Sequence, residues 1–298
     1  MTKHVFKLTT RLAKPTDRGK VKKMFESGAI SYARVPLRDL DYILTSRLVI
    51  VATHRDNVQG ALISIWPRPP YAWLDALAIG STESCRLVLD TLLDGFDDYV
   101  ALIGARQSLC SLEEGRHHLI RERLLAQGFQ LATKFQRFEK NDFDVPSFDS
   151  TNISVRPGRK RDLPAIARIE RACFRPPWRN SQASLAHTLE HSPIFNVALV
   201  DGQIVGFQYG SIENSTGEFI HVAVDPAFRR LNVAKSLLAE AIAYFKRAGV
   251  STIELRTEQS NTSAQRLFAT FGFHRHGPHR EVFAKTLNLP RDRWRLPS

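Results

Sequence analysis

One pattern occurs twice in this chain of 298 residues, about 145 residues apart, and the repeat restricts the fold more than any single motif does. Phe6-Lys7-Leu8-Thr9-Thr10-Arg11 alternates like a strand and leads to Asp17, Val21 and Met24. Ile153-Ser154-Val155-Arg156 leads in the same way to Asp162 and Ile166. Both stretches read Arg-x5-Asp-x3-[Val/Ile], which suits a strand, a turn and an aspartate near a helix N-terminus. Apolar strands follow at Leu48–Ala52 and Phe195–Val200, then second strands ending at Gly60–Ile63 and Gly206-Phe207. Asp201-Gly202 between apolar runs marks a hairpin. Amphipathic helices are predicted over Arg86–Tyr99 and Asn232–Gly249, and each half closes with a short helix and Gly-Phe (Gly128-Phe129, Gly272-Phe273). Each half reads β-α-β-β-β-α-β-α-β, an α/β domain on a mixed, mostly antiparallel sheet flanked by helices. The expected division is a first domain over 1–140, a linker over 141–151, a second domain over 152–288 and a basic tail over 289–298.

The informative stretch of the second half runs from Gly217-Glu218-Phe219-Ile220-His221-Val222-Ala223-Val224-Asp225-Pro226 to Arg229-Arg230-Leu231-Asn232-Val233-Ala234-Lys235. The strand ends at Val224 because proline cannot donate to a ladder. The helix that follows carries its apolar stripe at Val233, Leu237, Leu238, Ala241, Ile242 and Phe245 and stops at Gly249. A helix N-terminus reached through a tight turn binds anions, since its first amides lack partners and the helix dipole is positive there. Asn232 tolerates a left-handed backbone. Arg229, Arg230 and Lys235 add positive charge, and Ala234 leaves room for a diphosphate.

Val-x-Pro-x-x-Arg-x-x-Asn-x-Ala-x-x-Leu-Leu resembles the CoA-pyrophosphate motif of the GNAT acyltransferases, with Asn232 in place of the first glycine. Downstream of a predicted strand, Ile253–Thr257, comes Asn261-x-x-Ala264-x-x-Leu267-Phe268-x-x-x-Gly272-Phe273. It is similar to the second motif of the same family, with Phe268 at the position of a tyrosine. The resemblance implies two tandem GNAT-like domains, acetyl-CoA as co-substrate, no metal, and direct attack of an amine on the thioester. It implies that backbone groups around Val222, Ala223 and Val224 polarise the thioester carbonyl, that Arg229–Lys235 hold the diphosphate, and that Asn261 and Phe268 flank the pantetheine arm. Ile169-Glu170-Arg171-Ala172-Cys173-Phe174-Arg175-Pro176-Pro177-Trp178 is similar to the first-helix segment of bacterial ribosomal-protein N-terminal alanine acetyltransferases. Arg256 and Phe268 depart from that subgroup, so its substrate does not carry over.

With Ile79 laid on Val224, Gly80 falls on Asp225, Ser84 on Arg229, Cys85 on Arg230, Leu87 on Asn232 and Leu89 on Ala234. The charges are gone, and Leu89 is expected to crowd a diphosphate. The first half thus reads as a GNAT-like fold without a CoA site, serving as scaffold or as a wall of the acceptor cleft.

Deprotonating a lysine amine at pH 7 costs about 4.6 kcal/mol, an α-amine only about 1. A base matters accordingly. Glu218, six residues before Val224, is the preferred base: it matches a glutamate that serves as base in several members, and an ion-paired edge carboxylate is the alternative. His221 is the second candidate, since histidine is the side chain suited to proton transfer near neutral pH; strict alternation sets it opposite Glu218, a bulge of the kind the resemblance implies for this strand would change its face, and a packed histidine is the alternative. Phe268 cannot protonate the leaving thiolate, which leaves Tyr209 and His221 as candidates. The net charge of +12 attracts polyanions. Nucleic acid is supported by nothing beyond that charge. Cys85, Cys110 and Cys173 form no CxxC pair, no run reaches the ~20 apolar residues of a membrane span, and no leader is apparent, so a cytoplasmic location is expected. His274-x-His276-x-x-His279 lacks a neighbouring cysteine or carboxylate cluster for a metal. The reading is an N-acetyltransferase acting on a small-molecule or protein amine; the alternative is a catalytically weak acyl-CoA-binding regulator. The acceptor and the oligomeric state stay open.

Overall fold

The structure is a computed structural model that describes residues 7–34, 42–44, 47–65 and 69–288; the expectations placed on Phe6, on residues 66–68 and on the tail 289–298 lie outside these. The first repeat contributes β1 (Thr9–Leu12), α1 (Arg18–Ser27), β2 (Ile30–Ala33), β3 (Leu48–His54), β4 (Asn57–Ser64), β5 (Tyr71–Leu74), β6 (Ala76–Ile79), α2 (Cys85–Leu102), β7 (Gln107–Glu113), α3 (His118–Ala126) and β8 (Gln130–Lys140). The second contributes β9 (Ile153–Pro157), α4 (Leu163–Cys173), α5 (Gln182–His191), β10 (Ile194–Val200), β11 (Gln203–Glu213), β12 (Thr216–Val224), α6 (Val233–Arg247), β13 (Thr252–Glu258), α7 (Thr262–Thr270), β14 (His274–Arg275) and β15 (Arg280–Thr286).

Several elements exceed the pattern read from sequence, β2 and β14 among them. Helix α5 begins where the Ser181 hydroxyl accepts from the Ser184 amide at 3.1 Å, a side-chain cap that needs no periodic stripe. In the first repeat, the strand predicted before α2 is broken at Asp75 into β5 and β6.

The chain forms two compact units that cross the repeat boundary: one holds the residues up to Lys134 and those from Pro278 onward, the other Phe135–Gly277. In the first unit, a sheet ordered β1-β3-β4-β6-β2 lies with β5, β7 and β15 around α2, whose Leu89, Leu92, Leu93 and Phe96 are fully buried. In the second, the strands run β8-β13-β12-β11-β10-β9. One sheet face packs on α6 and α7 through Phe219, Leu255, Phe245 and Phe268. The opposite face packs on α4 and α5 through Phe207, Tyr209, Ala223, Ile166 and Leu185.

The registers explain the exchange of terminal strands. Leu74 pairs with Cys110 in parallel, as Phe219 does with Leu255, each partner 145 residues further on. Phe138 of β8 pairs with Leu255, and Phe283 of β15 pairs with Cys110. The last strand of each repeat thus takes the same place, but in the unit built mainly from the other repeat. Arg121 and Lys134 tie β15 into the first unit by pairing with buried Glu281 at 3.0 and 3.1 Å.

The Arg-x5-Asp signature is one device used twice. Arg11 grips Asp17 at 2.5 and 3.0 Å, Arg156 grips Asp162 at 2.6 and 3.0 Å, and each carboxylate also accepts the amide of Lys14 or Arg159. Both carboxylates are nearly buried, and the paired guanidinium holds each below the ordinary aspartate range, against the opposing effect of burial. Asp162→Asn is expected to cost about 2–3 kcal/mol, the range for charge-assisted hydrogen bonds. A depressed folded-state value stabilises above the ordinary aspartate range, and that stabilisation is lost as pH falls through the depressed value. The gap between wild type and variant in urea unfolding should therefore narrow on acidification; a gap constant from pH 7 to pH 3 would contradict the assignment.

Candidate functional site

Strand β12 loses one neighbour and gains one residue at the same place. Its parallel pairing with β13 runs from Thr216↔Thr252 to Phe219↔Leu255 and stops, although β12 continues to Val224 and β13 to Glu258. The two strands part there. On the other side, β11 pairs Gly210 with Phe219 and Tyr209 with His221, leaving Ile220 as an extra, half-exposed residue. The bulge shifts the alternation by one. Gly217 and Phe219 face α6, where a Cβ on Gly217 would come within 2.5 Å of the Phe245 ring. Glu218 and His221 consequently share the opposite face.

On that face, the His221 ring stacks on Tyr209 with centroids 5.2 Å apart and on Phe174 at 4.2 Å. Its Nε2 lies 2.8 Å from Glu170 Oε2. Glu170, on α4, is 0% exposed, and its Oε1 accepts from the Asn180 backbone amide at 2.6 Å and the Asn180 side chain at 3.1 Å. The Asn180 side chain also donates to the Tyr209 hydroxyl at 3.2 Å. Burial, and then the nearby Glu170 charge, push the Tyr209 phenol well above its usual range. Among the described residues nothing hydrogen-bonds to His221 Nδ1. Glu218 pairs instead with Arg256 of β13, and Arg137 of β8 pairs with Glu254 at 2.8 Å, so this face of the three strands carries a ladder of alternating charge.

Beyond Val224, Asp225 caps a short turn through the Ala227 amide at 3.1 Å and pairs with Arg168. Arg230 and Asn232 both adopt left-handed backbone, with φ of 64° and 62°. Helix α6 makes its first hydrogen bond from Ser236 to the Asn232 carbonyl at 3.0 Å, which leaves the amides of Val233, Ala234 and Lys235 without intrahelical acceptors. Arg229, Arg230 and Leu231 are exposed. The Asn232 side chain donates to the Asp149 carbonyl at 2.9 Å, and Lys235 Nζ stands 5.7 Å over the Phe148 ring.

The sequence profile of the acetyltransferase (GNAT) family matches residues 163–273. A [ribosomal protein bS18]-alanine N-acetyltransferase of Haemophilus ducreyi is 30% identical over 119 residues, 38% of this chain and 77% of that protein. The chain belongs to the GNAT family of acetyltransferases. A mycothiol acetyltransferase of Stackebrandtia nassauensis is 26% identical over 84% of this chain and 77% of its own. The fold of a tandem GNAT protein from the clavulanic acid biosynthesis pathway superposes with a TM-score of 0.67 at 15% identity, covering 94% of this chain and 98% of that one. Among the described residues no helix is long and apolar enough to cross a membrane.

Within this GNAT fold, the residues expected around the cofactor fall into three groups. Arg229, Arg230, Leu231, Asn232, Ala234 and Lys235 line the turn and the start of α6, where an anion can reach the amides. Val233 and Ala223 are buried, at 1% and 3% exposure, and Val222 and Val224 pack their side chains beneath α6, so all four can offer only backbone. Asn261 caps α7 by accepting from the Ala264 amide at 3.1 Å, and Phe268 sits in the aromatic core with Phe138 and Phe273. Glu170 and Asn180 escaped the sequence reading. They lie 51 and 41 residues from His221, and a glutamate inside an apolar helix stripe was the one available sign.

One expectation about the first half needs correction. Leu89 does not stand where a diphosphate would, since it is buried in the core of its own unit. Helix α2 already begins at Cys85, three residues before the position matching the start of α6. A helical turn replaces the left-handed one found before α6. His117 lies before α3 with φ of 53° and meets the Tyr32 ring edge-on at 5.3 Å.

The left-handed turn carries its own test. Asn232→Val should lose about 1–2 kcal/mol more than Asn232→Gly, because a β-branched residue resists positive φ. Thermal unfolding of the two variants measures the difference, and equal melting temperatures would refute it.

Proposed function

We propose that the second unit transfers the acetyl group of acetyl-CoA to a primary α-amine, with His221 as the general base. The observation that carries this reading is the position of His221: the bulge at Ile220 turns it onto the face where β12 leaves β13, with Nε2 engaged by Glu170 and, among the described residues, no hydrogen-bond partner at Nδ1.

The turn residues have the chemistry to hold the co-substrate. Arg229 and Arg230 meet the diphosphate charge, the amides of Leu231 to Lys235 bind its oxygens, and the parted strands admit the pantetheine arm beside Asn261 and Phe268. Bound there, acetyl-CoA supplies an activated acyl carbon whose oxygen the β12 backbone at Val222 and Val224 can polarise.

His221 Nδ1 takes the proton that the attacking nitrogen sheds, a new amide C–N bond forms as the C–S bond breaks, and the proton passes to the departing sulfur. Amine and thioester are thereby converted to amide and thiol with no residual charge. Imidazoles ordinarily titrate at ~6.5, close to an α-amine at ~7.8 and far from a lysine at ~10.4. That match favours an α-amine acceptor, the chemistry named for the Haemophilus ducreyi relative. Glu218 serves in this reading as a pairing partner for Arg256 that shapes the acceptor side.

A second reading, acyl-CoA binding without turnover, draws on the apolar setting of Phe268, which leaves α7 without an acid. Tyr209 answers it. Its phenol keeps its proton over the working pH range and lies on the His221 face.

Thiol release from acetyl-CoA, measured with a peptide bearing N-terminal alanine, an N-terminally blocked lysine peptide and a polyamine, separates these readings. The alanine peptide should be preferred at least tenfold, and His221→Ala should lower kcat by about 10²–10⁴. Uptake of acetyl-CoA with no release on any acceptor would support the sensor instead. Arg229→Glu combined with Arg230→Glu should weaken acetyl-CoA uptake by calorimetry at least tenfold, and unchanged uptake would overturn the assignment of the diphosphate site.

A further inference from the structure

We propose that Glu170 is a positioning residue for His221: together with Asn180 it fixes the imidazole tautomer and ring orientation so that Nδ1 presents its lone pair to the acceptor amine. The proposal rests on His221 being the base, as argued above, and adds the device that makes it one.

The geometry leaves little freedom. Two donors, the Asn180 amide and the Asn180 side chain, meet Oε1 of Glu170, and His221 Nε2 stands 2.8 Å from Oε2. A carboxylate surrounded by donors accepts only, so Nε2 carries the hydrogen and Nδ1 does not. Stacking on Tyr209 and Phe174 holds the plane of the ring, and the bond to Glu170 holds its rotation within that plane. A hydrogen-bonded carboxylate behind an imidazole is the general means of setting its tautomer and steadying the imidazolium that forms. The titratable groups in contact with the ring are Glu170 from α4 and Tyr209 from β11; on neighbouring elements, Cys173 of α4 donates to the Val224 carbonyl and Glu218 of β12 pairs with Arg256 of β13.

The first repeat supplies an internal comparison. At the same 145-residue offset, His221 corresponds to Ala76 and Glu170 to Phe25, both apolar, whereas the Arg156–Asp162 pair survives as Arg11–Asp17. The structural pair persists in both repeats, and the His–Glu pair is lost as a unit where the anion-binding turn is lost. A pair needed only to fill the α4–sheet interface would have no reason to track that turn. Burying a carboxylate at 0% exposure is costly unless every acceptor site is used, and here the third donor is the imidazole.

The test is nitrogen NMR of the full chain labelled at histidine, with His221→Ala giving the assignment, alongside acetylation of the N-terminal alanine peptide. The wild-type His221 should show the Nε2-protonated tautomer. In Glu170→Gln the amide can donate as well as accept, so the tautomer should become mixed or reversed; kcat should fall at least tenfold with KM for acetyl-CoA unchanged. In the His221→Ala background, Glu170→Gln should have no further effect on kcat. An unchanged tautomer together with unchanged kcat in Glu170→Gln would overturn the proposal while leaving His221 as base. A fully active His221→Ala would overturn the base assignment itself. Should Glu170→Gln not fold, Asn180→Ala removes one donor from Glu170 and should disturb the tautomer in the same direction. An Asn180→Ala protein with wild-type tautomer and kcat would count against the network.

Discussion

The proposed site depends on what happens to one strand between Phe219 and His221. There β12 gives up its parallel neighbour and takes in an extra residue opposite β11. The first event opens the sheet beside the strand, and the second rotates the side chains that follow. Without the bulge, His221 would point toward α6 and the Phe245 core, where no amine could reach it. Without the parting, its face would be closed by β13. The first repeat has the same break, at Asp75, between the strand that pairs with β7 and the strand that pairs with β4. Asp75 is 1% exposed and accepts from the Ile65 amide at 2.7 Å and from Arg34 at 2.8 Å. A buried, bonded carboxylate pins the bend in one repeat, and an exposed isoleucine leaves it open in the other.

How much of this was legible in the sequence depends on how local each feature is. The strand ending at Val224, the helix stripe from Val233 to Phe245 and the Asp201-Gly202 hairpin are set by neighbours a few residues away, and they stand as read. Asn232 could be recognised as a glycine substitute because the αL requirement belongs to one residue, and its φ of 62° follows. The Arg-x5-Asp pairs were visible as spacing and proved to be ion pairs. The His221–Glu170 contact was not legible, because it joins positions 51 residues apart through a helix whose rotation no local pattern encodes. The exchange of β8 and β15 escaped for a related reason. Two strands with equivalent sequence roles compete for two equivalent sheet positions, and hydrophobic patterning does not distinguish them.

The two repeats share some constraints and differ in others. Retained are the pairs that fix the path of the chain, such as Arg11–Asp17, and the parallel register through Leu74 and Cys110. Replaced are the left-handed residues, the paired arginines and the imidazole. Glycine-like backbone freedom and unpaired cations both cost stability, so positions with no ligand to meet drift toward ordinary helix. Beginning α2 at Cys85 is the result: three more residues gain helical hydrogen bonds and the left-handed bend disappears.

The segment between the repeats has a structural part to play in the second unit. Phe148 packs against Phe271 with ring centroids 6.1 Å apart, Lys235 stands over Phe148, and the Asp149 carbonyl takes the Asn232 side chain. A glycine at position 232 would free the turn but could not make that last bond. Asparagine meets the same backbone demand and adds a tether, so part of the rigidity at the start of α6 comes from a segment that carries no periodic signal. Pre-organisation of an anion site lowers the ordering cost of binding, and at the site proposed for the diphosphate it would be distributed over a strand end, a left-handed turn and a strap that precedes all of them in the chain.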